Sequence, residues 1–153
     1  MKVKPIFHSF ESKDLIHIIP RLIVAIILGQ TLPFKFGGAE ESIWIFEQIG
    51  WEPWGRYLIA SIEAASTILL LTNYYIIGAI ISLSIISAAN FLHFTKLGFI
   101  VNDDGGTLFI LSIVVIFCSL WIVLYWNMQR VEQQVANFEI DWEDVDEDEF
   151  LAD

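Results

Sequence analysis

The chain has 153 residues, a length that suits one domain. With 56% hydrophobic residues and a mean hydropathy of +0.61, a water-soluble fold of this size would leave too much apolar surface in solvent, so a membrane protein is expected. The net charge of −11 is a local property: residues 137–153 carry nine acidic side chains and no basic one, and taking those nine from the total leaves −2.

Residues 1–14 read as a short cytoplasmic segment with Lys2, Lys4 and Lys13. No secretory signal is expected, because the first long apolar run starts near Leu15 and lacks a small-residue cleavage site after it. Ser12 is a suitable N-cap for that run, which covers 15–34 and carries Pro20-Arg21 as a first-turn or kink feature. Gly37 to Gly55 is an amphiphilic connection. Its apolar stretch Ser42-Ile43-Trp44-Ile45-Phe46 is too short to span and suits the membrane interface.

The second run is taken as 56–72 and is short. Thr72-Asn73-Tyr74 is the only break before the third, 75–94, so these two form an antiparallel hairpin. Asn102-Asp103-Asp104-Gly105-Gly106 has turn chemistry before the fourth run, 107–126. A spanning helix needs roughly 20 apolar residues, with about 17 acceptable. Open sheet edges cannot be satisfied in lipid, which leaves helices. The expected fold is an all-α membrane protein, an antiparallel four-helix transmembrane bundle over 15–128, followed by an acidic C-terminal tail over 129–153. Trp51, Trp54, Tyr57, Tyr74, Tyr75, Trp121, Tyr125 and Trp126 fall at or near run ends, as interfacial aromatics do.

Lys2, Lys4, Lys13, Arg21 and Arg130 fall on one side of this arrangement and Lys35, Arg56 and Lys96 on the other, which favours a multi-pass protein that is N-in and C-in. Gly78 with Ser82, Ser84 with Ala88, and Ala60 with Ala64 have the spacing of small residues that bring helices together.

Antiparallel order also collects the polar groups. Gln30 and Lys35 end the first helix, Arg56 and Glu63 begin the second, Asn90, His93 and Lys96 end the third, and Asp103 and Asp104 precede the fourth. All fall at one end of the bundle, while the other end holds His17, Arg21 and Asn73. Glu63 lies seven residues past Arg56, on the same face and about 10 Å deeper. An ionised carboxylate there must be neutral, paired or wet, and Lys35 and Arg56 are its nearest partners by level. Two readings stay open for Gln30, Lys35, Arg56, Glu63, Asn90 and His93: a ligand pocket, or a polar cluster that fixes helix register.

No catalytic residue and no metal site is assigned. Cys118 is the only cysteine, so no internal disulfide and no Cys-x-x-Cys pair exists, and His8, His17 and His93 have no metal-ligand spacing. With His17 and His93 at opposite ends, one chain cannot give two histidines to one haem iron. No nucleic-acid partner is expected. The acidic tail reads as a solvated chain, or as a segment that folds on a basic partner through Trp142 and Phe150.

Several segments together resemble the DoxX-like family of small integral membrane proteins, in its bacterial branch. They are Arg21 with Ala25-Ile26-Ile27-Leu28-Gly29-Gln30-Thr31-Leu32, then Phe34-Lys35-Phe36-Gly37; Glu52-Pro53-Trp54-Gly55-Arg56; Glu63; His93-Phe94-Thr95-Lys96-Leu97-Gly98; and Asp104-Gly105-Gly106-Thr107-Leu108-Phe109. The resemblance covers Pro20 to Trp126 and leaves the acidic tail outside. It implies four transmembrane helices. It also implies an association with quinone-linked redox systems or thiol-oxidant defence, and in distant relatives with membrane chaperones or cargo receptors. No thiol pair, haem ligation or flavin fingerprint is visible, so the expected role is a membrane subunit holding a quinone or other lipidic ligand rather than an enzyme on its own. Its expected partners are the lipid bilayer and a redox protein or a second copy of the chain. The alternative is a non-enzymatic scaffold or chaperone whose polar cluster is structural.

Overall fold

A computed structural model describes residues 12–101 and 104–143. Expectations for Lys2, Lys4, His8, Asp103 and the tail beyond Glu143, Phe150 included, lie outside them. Among the described residues every regular element is helical: α1 Ser12–Gly37, α2 Glu40–Ile49, α3 Trp54–Leu70, α4 Tyr75–Leu92 with a π-helical turn at His93–Leu97, and α5 Thr107–Glu143. The chain divides into two compact units, Met1–Val123 and Leu124–Asp153, and α5 contributes to both.

Three segments are long and apolar enough to cross a membrane: Leu15–Gly37, Tyr75–Leu97 and Thr107–Phe138. This is a membrane protein. The fourth expected span, α3, has 17 residues and is about 25 Å long.

The elements differ from the sequence reading in four places. The connection between the first two runs contains α2, whose buried Ser42 and Phe46 lie one turn apart while Glu40, Glu41 and Glu47 are exposed. Gly50 stops it in the left-handed region at φ 75°, where its N–H reaches the carbonyls of Phe46 and Glu47. Helix α4 does not run regularly to Phe94, because it widens at His93 into a turn closed by Gly98 N–H on His93 O at 3.0 Å. Helix α5 passes its apolar run and stays helical through Glu143, so the first half of the tail is not a solvated coil. Ser12 is already helical, and the cap of α1 lies outside the described residues.

Helix α3 is the centre of the first unit, packed against α1 on one side and α4 on the other. Arg21 on α1 donates to the carbonyls of Leu70 and Thr72 at 2.9 and 3.0 Å, and its guanidinium lies over the Tyr75 ring. This ties α1 to the turn end of the α3–α4 hairpin. Gly78 lets α4 come close: a Cβ there would meet Leu70 N at 2.8 Å and Ser66 O at 2.9 Å, both backbone atoms that cannot move aside. Ser66 Oγ then donates to Gly78 O at 2.8 Å. Ser82 bonds Ser119 and Asn90 bonds Ser112, so rising positions on α4 meet falling positions on α5.

Val24, Ala25, Leu28, Leu70, Ala79, Ile86, Val115 and Ile122 form the core. In lipid such contacts stabilise through close packing and hydrogen bonds, since the surrounding chains are as apolar as the core itself. Gly78 and Ser82 therefore act as the small-residue contact expected of them. Ser84 and Ala88 do not: both are exposed, and Ala64 is only half-buried beside fully buried Ala60.

Candidate functional site

A partly open cavity of about 570 Å³ lies in the first unit, and its wall draws on α1, α2, α3, α4, the π-helical turn and α5. The wall is mostly apolar, with Ile27, Phe34, Ile59, Ile85, Leu92 and Leu111 among its residues. A few polar side chains interrupt it. Four of the six residues singled out from the sequence are there: Gln30, Lys35, Glu63 and His93.

Lys35 and Glu63 form an ion pair. Lys35 Nζ donates to both carboxylate oxygens, at 2.6 and 2.5 Å, and Thr31 Oγ1 bonds Glu63 Oε2 at 3.3 Å. Glu63 is buried and Lys35 partly exposed. The pairing makes this part of the wall neutral overall while keeping two polar heads at an apolar space. Gln30 is exposed and lies at the cavity's edge.

Arg56 is not the partner of Glu63. Its guanidinium is held by the Glu52 carboxylate through Nε at 2.9 and 3.0 Å and Nη2 at 2.7 Å, and Nη1 donates to the Lys35 backbone carbonyl. Glu52 precedes Arg56 by four residues, across the start of α3, so the pair is local and satisfies a buried cation before Glu63 can. Arg56 thus braces the end of α1 that carries Lys35. Asn90 is likewise occupied: its side chain exchanges hydrogen bonds with Ser112 Oγ at 2.8 and 3.1 Å and donates to Ile86 O. It ties α4 to α5, and Ser112 rather than Asn90 is on the cavity wall.

His93 is buried at the start of the π-helical turn, its Nδ1 2.7 Å from Gly98 O and its ring edge-on to Phe109. A carbonyl partner makes Nδ1 the donor, which leaves Nε2 an acceptor in the neutral ring. The π-helical turn thus carries both a backbone bond, Gly98 N–H to His93 O, and this side-chain contact to Gly98 O. Lys96, in the same turn, is exposed.

Asp104 caps α5. Its Oδ1 accepts from Val101 N–H and Gly106 N–H, and its Oδ2 from Leu108 N–H, at 2.9, 2.8 and 2.9 Å. Burial pushes its carboxyl up, but these three N–H groups, helped by His93, pull it further down and hold it below the ordinary carboxylate range.

One residue that the sequence reading placed in an interfacial stretch, and not among the site candidates, stands out. Ser42 on α2 is buried on the cavity wall, and its Oγ has no hydrogen-bond partner among the described residues. A buried hydroxyl left unpaired costs about 1–3 kcal/mol, and here it lies where a ligand would supply the missing bond. Among the described residues, no three of histidine, cysteine, aspartate and glutamate gather as a metal site would need.

Comparison with protein-family models, with curated proteins and with solved structures returns no match to this chain.

Proposed function

We propose that the chain is a DoxX-like membrane protein of the inner membrane, an antiparallel four-helix transmembrane bundle that holds a quinone or similar lipidic ligand as a membrane subunit of a redox system. The observation that carries this reading is the cavity. Its volume of about 570 Å³ is in the range of roughly 300–1,000 Å³ usual for small-molecule sites. Its wall is apolar except for the Lys35–Glu63 pair, Ser42, His93 and a few neighbours, and a quinone needs just such a slot with polar groups at its head. An internally neutralised pair favours an uncharged head over an anion or a cation, because neither charge is left unbalanced. The four-helix reading draws support from the pairings of α1 with α3, α3 with α4 and Asn90 with Ser112.

Extraction of the protein in mild detergent, followed by mass spectrometry of the lipids it retains, tests the proposal. A quinone or one class of neutral amphiphile should be enriched over bulk membrane lipid in the wild type. Ala89→Phe, which fills the cavity from α4, should abolish that enrichment. Equal lipid profiles for the two proteins would leave only the scaffold reading, in which Lys35–Glu63 and Asn90–Ser112 serve helix register.

A further inference from the structure

The polar atoms of the cavity wall do not balance. Lys35 Nζ directs its protons to both Glu63 oxygens and to Thr31 Oγ1, and the Thr31 hydroxyl donates to Leu28 O. Ser112 Oγ is held by Asn90 and Phe109 O, and His93 Nδ1 by Gly98 O. Gln30, Glu41 and Trp51 are exposed and form the rim. Two polar atoms of the buried wall are then left without a hydrogen bond among the described residues: Ser42 Oγ on α2 and His93 Nε2 on the π-helical turn. Those two elements pack against each other. Ser42 can donate or accept, but with the proton on Nδ1, Nε2 can only accept. The Glu63 carboxylate keeps spare lone pairs as well. A ligand head therefore meets one free donor and a surplus of acceptors.

We infer, on the footing that the cavity holds a lipidic ligand, that it selects a head bringing hydroxyl donors, which within the proposed ligand class is the hydroquinone and not the quinone. One hydroxyl donates to His93 Nε2, and Ser42 Oγ donates to an oxygen of the same head. A quinone offers acceptors alone. It can take the Ser42 proton, but it sets acceptor against acceptor at Nε2, which stays unpaired where water is largely excluded. A site built around a ligand hydroxyl discriminates against the analogue lacking it for this reason. The opening suits a ligand dissolved in the bilayer. Phe34 and Phe91, on two candidate membrane spans, line the cavity and are 60% and 66% exposed.

Calorimetric titration of the full-length, delipidated protein in detergent tests this with three probes that share a ring and a decyl tail. They are the hydroquinone, kept reduced under argon, its quinone, and its dimethyl ether, which keeps the oxygens but has no donor. The hydroquinone should bind roughly tenfold more tightly than either, equivalent to about 1.4 kcal/mol. Ser42→Ala should weaken hydroquinone and quinone by a similar factor, whereas His93→Phe should bring their affinity ratio to about one. The wild-type comparison of hydroquinone with ether needs neither variant, so a misfolded His93→Phe leaves the test intact. Ether or quinone binding as tightly as the hydroquinone would overturn the donor preference while leaving the lipidic-ligand reading in place. Binding of none of the three would overturn both.

Discussion

Lys35 on α1 and Glu63 on α3, 28 residues apart in the chain, are joined through both carboxylate oxygens, and this pair is the only link on the cavity wall that neutralises a buried charge among the described residues. Removing one member of such a pair strands the other in a low-dielectric setting. Glu63→Leu or Lys35→Met alone should cost about 3 kcal/mol, whereas the double replacement should recover most of it. Thermal melts in detergent read this directly, with Glu47→Gln, at an exposed position of α2, as a control expected within about 0.5 kcal/mol of wild type. Additive losses in the double variant would mean that the two groups are not coupled.

Ser42 offers a split between stability and binding. If its hydroxyl waits for a ligand, Ser42→Ala should raise the melting temperature of delipidated protein by removing a buried unpaired group. The same change should weaken retention of the bound amphiphile roughly fivefold, the worth of one hydrogen bond of about 1 kcal/mol. Comparative extraction and melting of the two proteins separates these effects. A variant that loses stability both with and without lipid would show that Ser42 serves the fold alone.

Asp104 makes the start of α5 sensitive to acid. Its folded-state pKa is depressed below the unfolded value near 3.8. The stability it contributes is therefore complete above that value and is lost as pH falls through the folded pKa. Asp104→Asn keeps an acceptor for the Val101 and Gly106 N–H groups but cannot be protonated away. From about pH 6 down to about pH 2, wild type should lose more stability than the variant, so their melting curves converge at the acid end. A gap that stays constant with pH would assign Asp104 a purely neutral capping role.

Much of the cavity wall was legible because long apolar runs and short turns leave little freedom in helix order, and that order brings Lys35, Glu63 and His93 to one end. The partner of Arg56 was open to a local reading that tertiary reasoning passed over, since Glu52 precedes it by one helical turn. Ser42 was not legible at all. A serine in a short amphiphilic stretch looks like any interfacial residue until α2 folds and turns it inward. In the tail, the density of acids suggested solvation, whereas α5 stays helical through Glu143.

The number of spans rests on α3, and labelling decides it. At 17 residues α3 falls short of a comfortable crossing, and it carries Arg56 and Glu63. Both charges are nonetheless matched, Arg56 by Glu52 and Glu63 by Lys35, so neither opposes insertion as a lone ion would. Interfacial Trp51 and Trp54 at one end and Tyr74 at the other extend its effective reach, and all three are exposed. If α3 crosses, α2 and the π-helical turn lie on one side of the membrane, and the 72–74 turn lies on the other. Single cysteines introduced by Glu47→Cys, Lys96→Cys, Asn73→Cys and Gln133→Cys in a Cys118→Ser background report the sides, all at exposed positions. Ser42 would be a poor probe, being buried. Four crossings require Glu47→Cys and Lys96→Cys to react with an impermeant maleimide from one face, and Asn73→Cys and Gln133→Cys from the opposite face. Labelling of Asn73→Cys together with Glu47→Cys would mean that α3 re-enters instead of crossing, and the antiparallel four-helix proposal would fall with it.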